Sequence, residues 1–245
     1  MQLQADPTEN KEEVWKMFDQ ISSTYDTVNR AMTGGLDIIW RKNVARLVPQ
    51  HKKIDLLDLA TGTGDQIISI LQVNQNVQSA VGIDMSQQML NVGIKKMESQ
   101  SFKDKVSLHK ASALDIPYPN ESFDCVTMSF GIRNVTSPSR CLQEIFRVLK
   151  PFGKVIILES SMPSNTVLRS MHLLYLRKLL PKIGGFLSRK RSAYVYLNKT
   201  IESFPYGKEF CNLLEINKFS NSKMHPQLFG AVTIYEAEKI QEYID

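Results

Sequence analysis

Cysteine, histidine and glycine are scarce in this 245-residue chain, at 3, 4 and 12 residues. No apolar run reaches the roughly 18 residues that would span a bilayer. Cys125, Cys141 and Cys211 are odd in number, widely spaced and set among apolar neighbours. Neither a disulfide framework nor a thiolate metal site is therefore expected, and a reducing compartment follows. His51, His109, His172 and His225 show no ligand spacing with one another or with a carboxylate pair, so they read as scattered core or surface residues and no metal is expected. Met1 to Glu13 is polar and acidic, neither Arg-rich nor signal-like, which reads as a cytoplasmic protein. There is no internal repeat or low-complexity tract. Length and composition suit one soluble domain over 1–245 better than two.

Acidic residues are missing from one long stretch. Ser160 to Ile201 holds Arg169, Arg177, Lys178, Lys182, Arg189, Lys190, Arg191 and Lys199 without Asp or Glu, a local charge of +8 inside a chain of net +5. Nucleic acid, an anionic membrane face and plain solvent are all suitable neighbours for it. Val167, Leu168, Met171, Leu174, Tyr175 and Leu179 recur there at helical spacing, which marks either a helix touching lipid or, more commonly, an amphipathic helix covering the core.

What is present is concentrated in two segments. Asp58-Leu-Ala-Thr-Gly-Thr-Gly-Asp65 follows the apolar run Ile54 to Ala60 and precedes a helical pattern from Asp65 to Val73, so its glycines fall on a strand-to-helix turn where a ligand can approach the backbone. Asp84, 20 residues after Gly64, ends a second apolar run, where a carboxylate accepts both hydroxyls of a ribose. A dinucleotide fingerprint needs a third small residue at the position of Ile67, and that β-branched side chain would hold the helix off a pyrophosphate. S-adenosylmethionine has no pyrophosphate, which favours it over nicotinamide or flavin; the remaining alternative is an ordinary Gly-rich turn. The second segment is Phe130-Gly-Ile-Arg-Asn134 at the end of another apolar run.

Apolar runs at Leu56 to Ala60, Val77 to Ile83, Val106 to Ala111, Phe123 to Phe130 and Val155 to Glu159 alternate with helical patterns at Gln66 to Val73, Gln87 to Met97 and Ser139 to Leu149. This predicts a doubly wound, mostly parallel α/β sheet with its ligand beyond the carboxyl ends of the strands. Lys150-Pro-Phe-Gly153 reads as a turn. Residues 11–44, with Val14, Met17, Phe18, Ile21 and Tyr25 on one helical face, read as a cover over the ligand. Residues 160–205 read as a helical insertion with a break at Gly184-Gly185, followed by a helix from Lys208 toward Leu214. Stretches near Phe219 and from Phe229 to Tyr235 read as an antiparallel pair on the sheet edge.

Taken together, the sequence resembles the UbiE/MenG quinone C-methyltransferases. The resemblance is carried by Met17-Phe-Asp-Gln-Ile-Ser-Ser-Thr-Tyr-Asp26, by Phe123-Asp-Cys-Val-Thr-Met-Ser-Phe-Gly-Ile-Arg-Asn-Val135, by Arg147-Val-Leu-Lys-Pro-Phe-Gly153 and by Ala193-Tyr-Val-Tyr-Leu-Asn-Lys-Thr-Ile-Glu-Ser-Phe-Pro205. It implies a Rossmann-like class I fold of seven strands with an antiparallel C-terminal edge strand and an N-terminal helical cover. It also implies S-adenosylmethionine as cofactor and methylation of a prenylated quinol ring in menaquinone or ubiquinone biosynthesis, demethylmenaquinol foremost. The implied cofactor contacts are Thr63, Asp84, Ser112, Ala113 and Ser129, with Gly62 and Gly64 beside Thr63 at the methionine end. Arg133 is implied at the developing oxyanion or an activated water, and Asn134 at the ring oxygen; a helix-start role is the alternative for both. Tyr25, Tyr194 and Tyr196 are candidates for lining the ring pocket, with core packing as the alternative.

The chain departs from the family at Thr61, usually Gly, and at Glu159-Ser-Ser-Met-Pro163, usually Glu-Phe-Ser-Lys-Pro, which bears on substrate selectivity. A prenyl tail would give the basic segment a purpose as peripheral membrane contact. Without a base-amine motif, a nucleophilic cysteine or aromatics interleaved with the basic cluster, no nucleic-acid partner is expected. An RNA methyltransferase and a non-catalytic cofactor-binding scaffold are the competing readings, and a homodimer stays open.

Overall fold

The computed structural model describes residues 13–188 and 191–240, except the side chains of residues 187, 188, 191, 192, 194 and 195. Seven strands form one sheet: β1 (Ile54–Leu59), β2 (Val77–Asp84), β3 (Val106–Lys110), β4 (Phe123–Ser129), β5 (Leu149–Ser160), β6 (Phe219–Gln227) and β7 (Val232–Lys239). Their order is β3-β2-β1-β4-β5-β7-β6. The first five pair in parallel. β7 runs antiparallel between β5 and β6, so the C-terminal pair closes one edge. The order reverses between β1 and β4, and a crevice opens there at the carboxyl ends of the strands.

Helices α4 (Asp65–Val73), α5 (Gln87–Glu98) and α6 (Pro138–Val148) are the crossovers that parallel strands require. Their starts are written locally. The Ser86 hydroxyl accepts the Met89 N–H ahead of α5, and the Ser137 hydroxyl accepts the Arg140 N–H ahead of α6, with Pro138 in the first turn. Apolar side chains pack on both faces of the sheet. Leu57, Val126, Ile145 and Phe210 lie in the core on one side, and Leu56, Ile67, Val44 and Ile156 in the core on the other.

The N-terminal cover is three helices, α1 (Val14–Ile21), α2 (Tyr25–Thr33) and α3 (Leu36–Leu47), so the single apolar face read across Val14 to Tyr25 is interrupted. The cause is local: the Ser22 hydroxyl donates to the Asp19 carbonyl and the Thr24 hydroxyl to the Ile21 carbonyl, competing with the helical ladder. Gly34 then ends α2 in the left-handed region, its N–H bonded to the Arg30 carbonyl.

After β5 come α7 (Thr166–Leu174), a π-helical turn (Tyr175–Leu179), α8 (Leu180–Ser188), α9 (Arg191–Ser203) and α10 (Lys208–Ile216). Gly184-Gly185 does not break this region. α8 runs through both residues, and Gly184 is buried where α8 packs between α2 and α9, a close approach that offsets the poor helix propensity of glycine. Lys150–Gly153 is also not a free turn. It lies inside β5 as a four-residue excursion between the pairs Phe123↔Leu149 and Cys125↔Lys154, with Phe152 at φ 62.

Helix α7 buries none of its residues. Val167, Met171 and Leu174 are at least 60% exposed, so this apolar stripe does not cover the core. Arg189 and Lys190 lie outside the described residues, as does the side chain of Arg191. Among the described residues, no helix is long and apolar enough to cross a membrane.

Candidate active site

Two chambers meet above the carboxyl ends of β1, β2 and β4. The first, about 360 Å³, is walled by Gly62, Asp84, Met85, Ser112, Ala113 and Ser129 among others. Gly62 has φ +56, and a Cβ built on it would meet nothing closer than the Ala60 carbonyl at 4.0 Å, so conformation rather than space asks for glycine. That conformation aims the Gly62 N–H at Asp84 Oδ2 (2.9 Å), while the Ser86 N–H reaches Oδ1 (2.8 Å). Two backbone donors thus fix the carboxylate and leave lone pairs facing the chamber. Burial holds this carboxyl above its ordinary range, and nearby Asp19 adds to the effect.

Beneath the loop, Asp58 Oδ1 accepts the Thr127 hydroxyl at 2.6 Å, and Oδ2 has no partner among the described residues. Burial pushes Asp58 up to about 6. Ser129 donates its hydroxyl to Gln66 Oε1 (2.9 Å), and the Gln66 amide donates to the Arg41 carbonyl, tying β4 to α4 and α3.

Thr63 and Gly64 line neither chamber. The Thr63 hydroxyl turns away to donate to Asp26 (2.7 Å) and to receive Lys96 (3.3 Å). Gly64 backs onto Met97 and Gly93, which makes it a packing position against α5. Around Thr63 the cover is clasped to the loop: Lys96 bridges Asp26 and Asp65, and Arg30 bridges Asp65 and Asp37. Asp19 of α1 accepts the Ser86 hydroxyl (2.5 Å) and the Gln88 N–H (3.1 Å) at the start of α5.

The second chamber, about 320 Å³, lies between the cover, the π turn, α9 and the end of β4. Its wall is mostly apolar and aromatic, with Trp40, Tyr25, Tyr175 and Tyr196 in it; the side chain of Tyr194 lies outside the described residues. Phe18, Tyr25, Phe130 and Asn134 line both chambers and form the partition between them. Phe18 and Tyr25 meet edge-on at 6.1 Å.

Arg133, in the short turn Ile132–Asn134 after β4, faces the second chamber and is 5% exposed. Its Nη1 donates to Glu159 Oε1 (2.5 Å) and to the Phe130 carbonyl (2.9 Å). Asn134 Nδ2 donates to the same carbonyl (3.2 Å), and the Tyr196 hydroxyl reaches Asn134 Oδ1 at 3.4 Å.

Residues 6–239 match the model of the ubiE/COQ5 methyltransferase family. The ubiquinone/menaquinone biosynthesis C-methyltransferase UbiE of Geotalea daltonii is 38% identical, with 95% of this chain and 98% of that one covered. The demethylmenaquinone methyltransferase of Bacteroides fragilis is 34% identical, with 93% of each covered. The chain belongs to the ubiE/COQ5 methyltransferase family.

Among solved structures, a SAM-dependent methyltransferase of Aquifex aeolicus aligns with TM-score 0.62 and 16% identity over 88% of this chain and 98% of that one. The [4+2]-cyclase SpnF aligns with TM-score 0.60 and 16% identity over 94% and 96%. The fold alone therefore does not decide the reaction, and the residues in the chambers must.

In this methyltransferase the first chamber fits S-adenosylmethionine. Asp84 offers open acceptor positions for a ribose at the end of β2, and Ser112 and Ala113 stand at the next strand end, where an adenine would lie. Sequence reading passed over three contributors: the Glu159 partner of Arg133, the clasp centred on Asp65 and Lys96, and His172 and Tyr175 in the second chamber. Acidic residues next to the motifs were the only signal for the first two. Cys125 and Cys141 are buried, with thiols pushed up to about 12 by burial, so neither is a nucleophile.

Proposed function

We propose that this methyltransferase transfers a methyl group to a ring carbon of a prenylated quinol, demethylmenaquinol foremost. The observation that carries the reading is the pair of chambers: an aromatic-lined second chamber shares a wall with the first, Asn134 stands in that wall, and Arg133, next to it in the chain, lines the second chamber. S-adenosylmethionine supplies an electrophilic methyl on a sulfonium when bound. Asp84 with Ser112 and Ala113 holds the nucleoside end, and Phe18, Tyr25 and Phe130 exclude water from the boundary the methyl crosses.

The second chamber holds a flat ring by its aromatic walls. Arg133 is fixed by Glu159 and the Phe130 carbonyl, so its guanidinium is preorganised as a positive group for the ring oxygen that carries negative charge once its proton has left, before the ring carbon attacks. Asn134, held by the Phe130 carbonyl and Tyr196, orients the ring.

A prenyl tail partitions into lipid, and the exposed face of α7 suits that. Val167, Met171 and Leu174 stand out beside exposed Arg169, Lys178 and Lys182, with Phe186 84% exposed on α8. The face docks on an anionic membrane surface, where each Lys or Arg adds up to about 1 kcal/mol. Co-sedimentation with phosphatidylglycerol vesicles at low salt tests it: Val167→Ser, Met171→Ser and Leu174→Ser together are expected to abolish pelleting. Equal pelleting of the triple variant would refute the docking.

Mass spectrometry of products from reduced demethylmenaquinone and a demethylated benzoquinol, each with the methyl donor, tests the main reading. Ring-methylated naphthoquinol is expected. Methylated RNA, or no methylated quinol from a protein that binds the donor, would overturn it.

A further inference from the structure

Methylating a quinol carbon requires that a hydroxyl proton leave, and the second chamber holds few groups able to accept it. Among the described residues, the ionisable ones on its wall are Tyr25, Asp37, Arg41, Arg133, Tyr175 and Tyr196, together with His172. Guanidinium groups only donate, so Arg41 and Arg133 accept no proton themselves, and Arg133 acts through charge or through a water it orients. Asp37 is taken by Arg30 and by the Thr33 hydroxyl. The Tyr175 hydroxyl is committed to the Met32 carbonyl (2.5 Å), and burial moves the Tyr175 and Tyr196 phenols further from ionisation. Tyr25 is packed edge-on against Phe18 in the partition.

His172 differs from all of these. It sits in the last turn of α7, where the helix passes into the π turn, a device frequent at functional sites. Its ring stacks on Tyr175 with centroids 6.5 Å apart and planes 18° from parallel, which fixes its orientation. Its Nε2 is shielded from solvent and has no hydrogen-bond partner among the described residues. A shielded ring nitrogen of this kind calls for a partner, and a ligand hydroxyl is able to supply one.

We propose that His172 is the base that takes the hydroxyl proton of the quinol, an inference that rests on the quinol reading above. The O–H bond breaks and its proton passes to Nε2, leaving the electron pair on oxygen to enrich the ring carbon. That carbon bonds to the methyl group as the sulfur–methyl bond breaks, its pair staying on sulfur. The hydrogen on the same carbon then leaves to water as a proton, restoring the aromatic ring and the oxygen anion, which recovers its proton from His172. One proton is released overall. Burial pushes the imidazole below its ordinary value, so the ring stands neutral with a lone pair at neutral pH, as a base requires.

The test combines kinetics and spectroscopy on the full chain. In the wild type, kcat with both quinol and methyl donor saturating at every pH is expected to rise with pH through one ionisation below the ordinary histidine value. In His172→Gln, kcat is expected to fall by at least ~100-fold and that acidic limb to vanish, with donor affinity unchanged. A merely structural role would lower the melting temperature and leave the limb in place.

Should the variant fail to fold, nitrogen-15 NMR of the four wild-type imidazoles with added 1-naphthol reads the same contact, the His172 Nε2 resonance being expected to shift alone. His172→Gln turning over within threefold of wild type with the acidic limb intact would overturn the assignment, as would an unmoved His172 resonance at saturating naphthol. A wild-type enzyme that methylates no quinol sinks the parent reading instead.

Discussion

Replacing Glu159 with glutamine isolates the least visible part of the site. Glu159 is 1% exposed and Arg133 5%, so both charges are out of water. Oε1 accepts Arg133 Nη1 at 2.5 Å and the Ser160 N–H at 2.7 Å, and Oε2 faces the Arg133 N–H at 3.4 Å. Three donors therefore converge on one side chain. Glutamine turns one oxygen into a donor pointing at donors and removes the carboxylate charge that faces the buried guanidinium. Removing one partner of a buried pair costs about 3–5 kcal/mol. At roughly 2–4 °C per kcal/mol for a chain of this size, the melting midpoint should fall by about 6–20 °C.

The control removes both charges. Arg133→Leu with Glu159→Leu should regain most of the lost stability, since a buried ion pair and an apolar pair of similar volume are often close in energy, yet it should be inactive. Calorimetric melts of the wild type, the single variant and the double variant, with turnover on the same samples, check both halves. A Glu159→Gln midpoint within about 2 °C of wild type would refute the reasoning, as would a double variant no more stable than the single one.

Two further outcomes follow from the carboxylates under the loop. Asp84→Asn should weaken S-adenosylmethionine at least roughly tenfold by titration calorimetry, and wild-type affinity should fall as pH drops through the Asp84 pKa, because the protonated group loses an acceptor. Burial puts that loss above the ordinary range for an aspartate; affinity flat from pH 8 to 4 would refute the role. Asp58 has the opposite consequence for stability. Between its ordinary value of 3.8 and about 6 the folded chain keeps a proton that the unfolded chain has shed, so stability falls as pH rises through that window. Asp58→Asn, still accepting from Thr127, should therefore gain on wild type by roughly 1.5 kcal/mol between pH 5 and pH 8 in urea melts; a pH-independent difference would contradict it.

The sheet was largely legible because its signals are local. Continuous apolar runs mark strands buried on both faces, Ser86 and Ser137 mark helix starts, and the Gly62 turn and Asp84 fall at strand ends. Where reading failed, the deciding contact was distant. Gly184-Gly185 reads as a break, but packing of α8 between α2 and α9 keeps it helical. The loop position of Thr63 gives no hint that Asp26, 37 positions earlier, receives its hydroxyl. The place of His172 on a cavity wall was out of reach of the sequence, since that cavity is assembled from helices far apart along the chain. The stripe on α7 had the spacing of a core-facing helix, and spacing cannot say whether protein lies opposite.

The cover helices roof both chambers at once. Asp19 and Asp26 fasten them to α5 on the side of the first chamber, Asp37 belongs to the second, and Tyr25 lines both. Lifting this single roof would therefore unseal both rooms together. A substitution that loosens the roof at Asp19 or Asp26 is therefore felt in both rooms rather than in one.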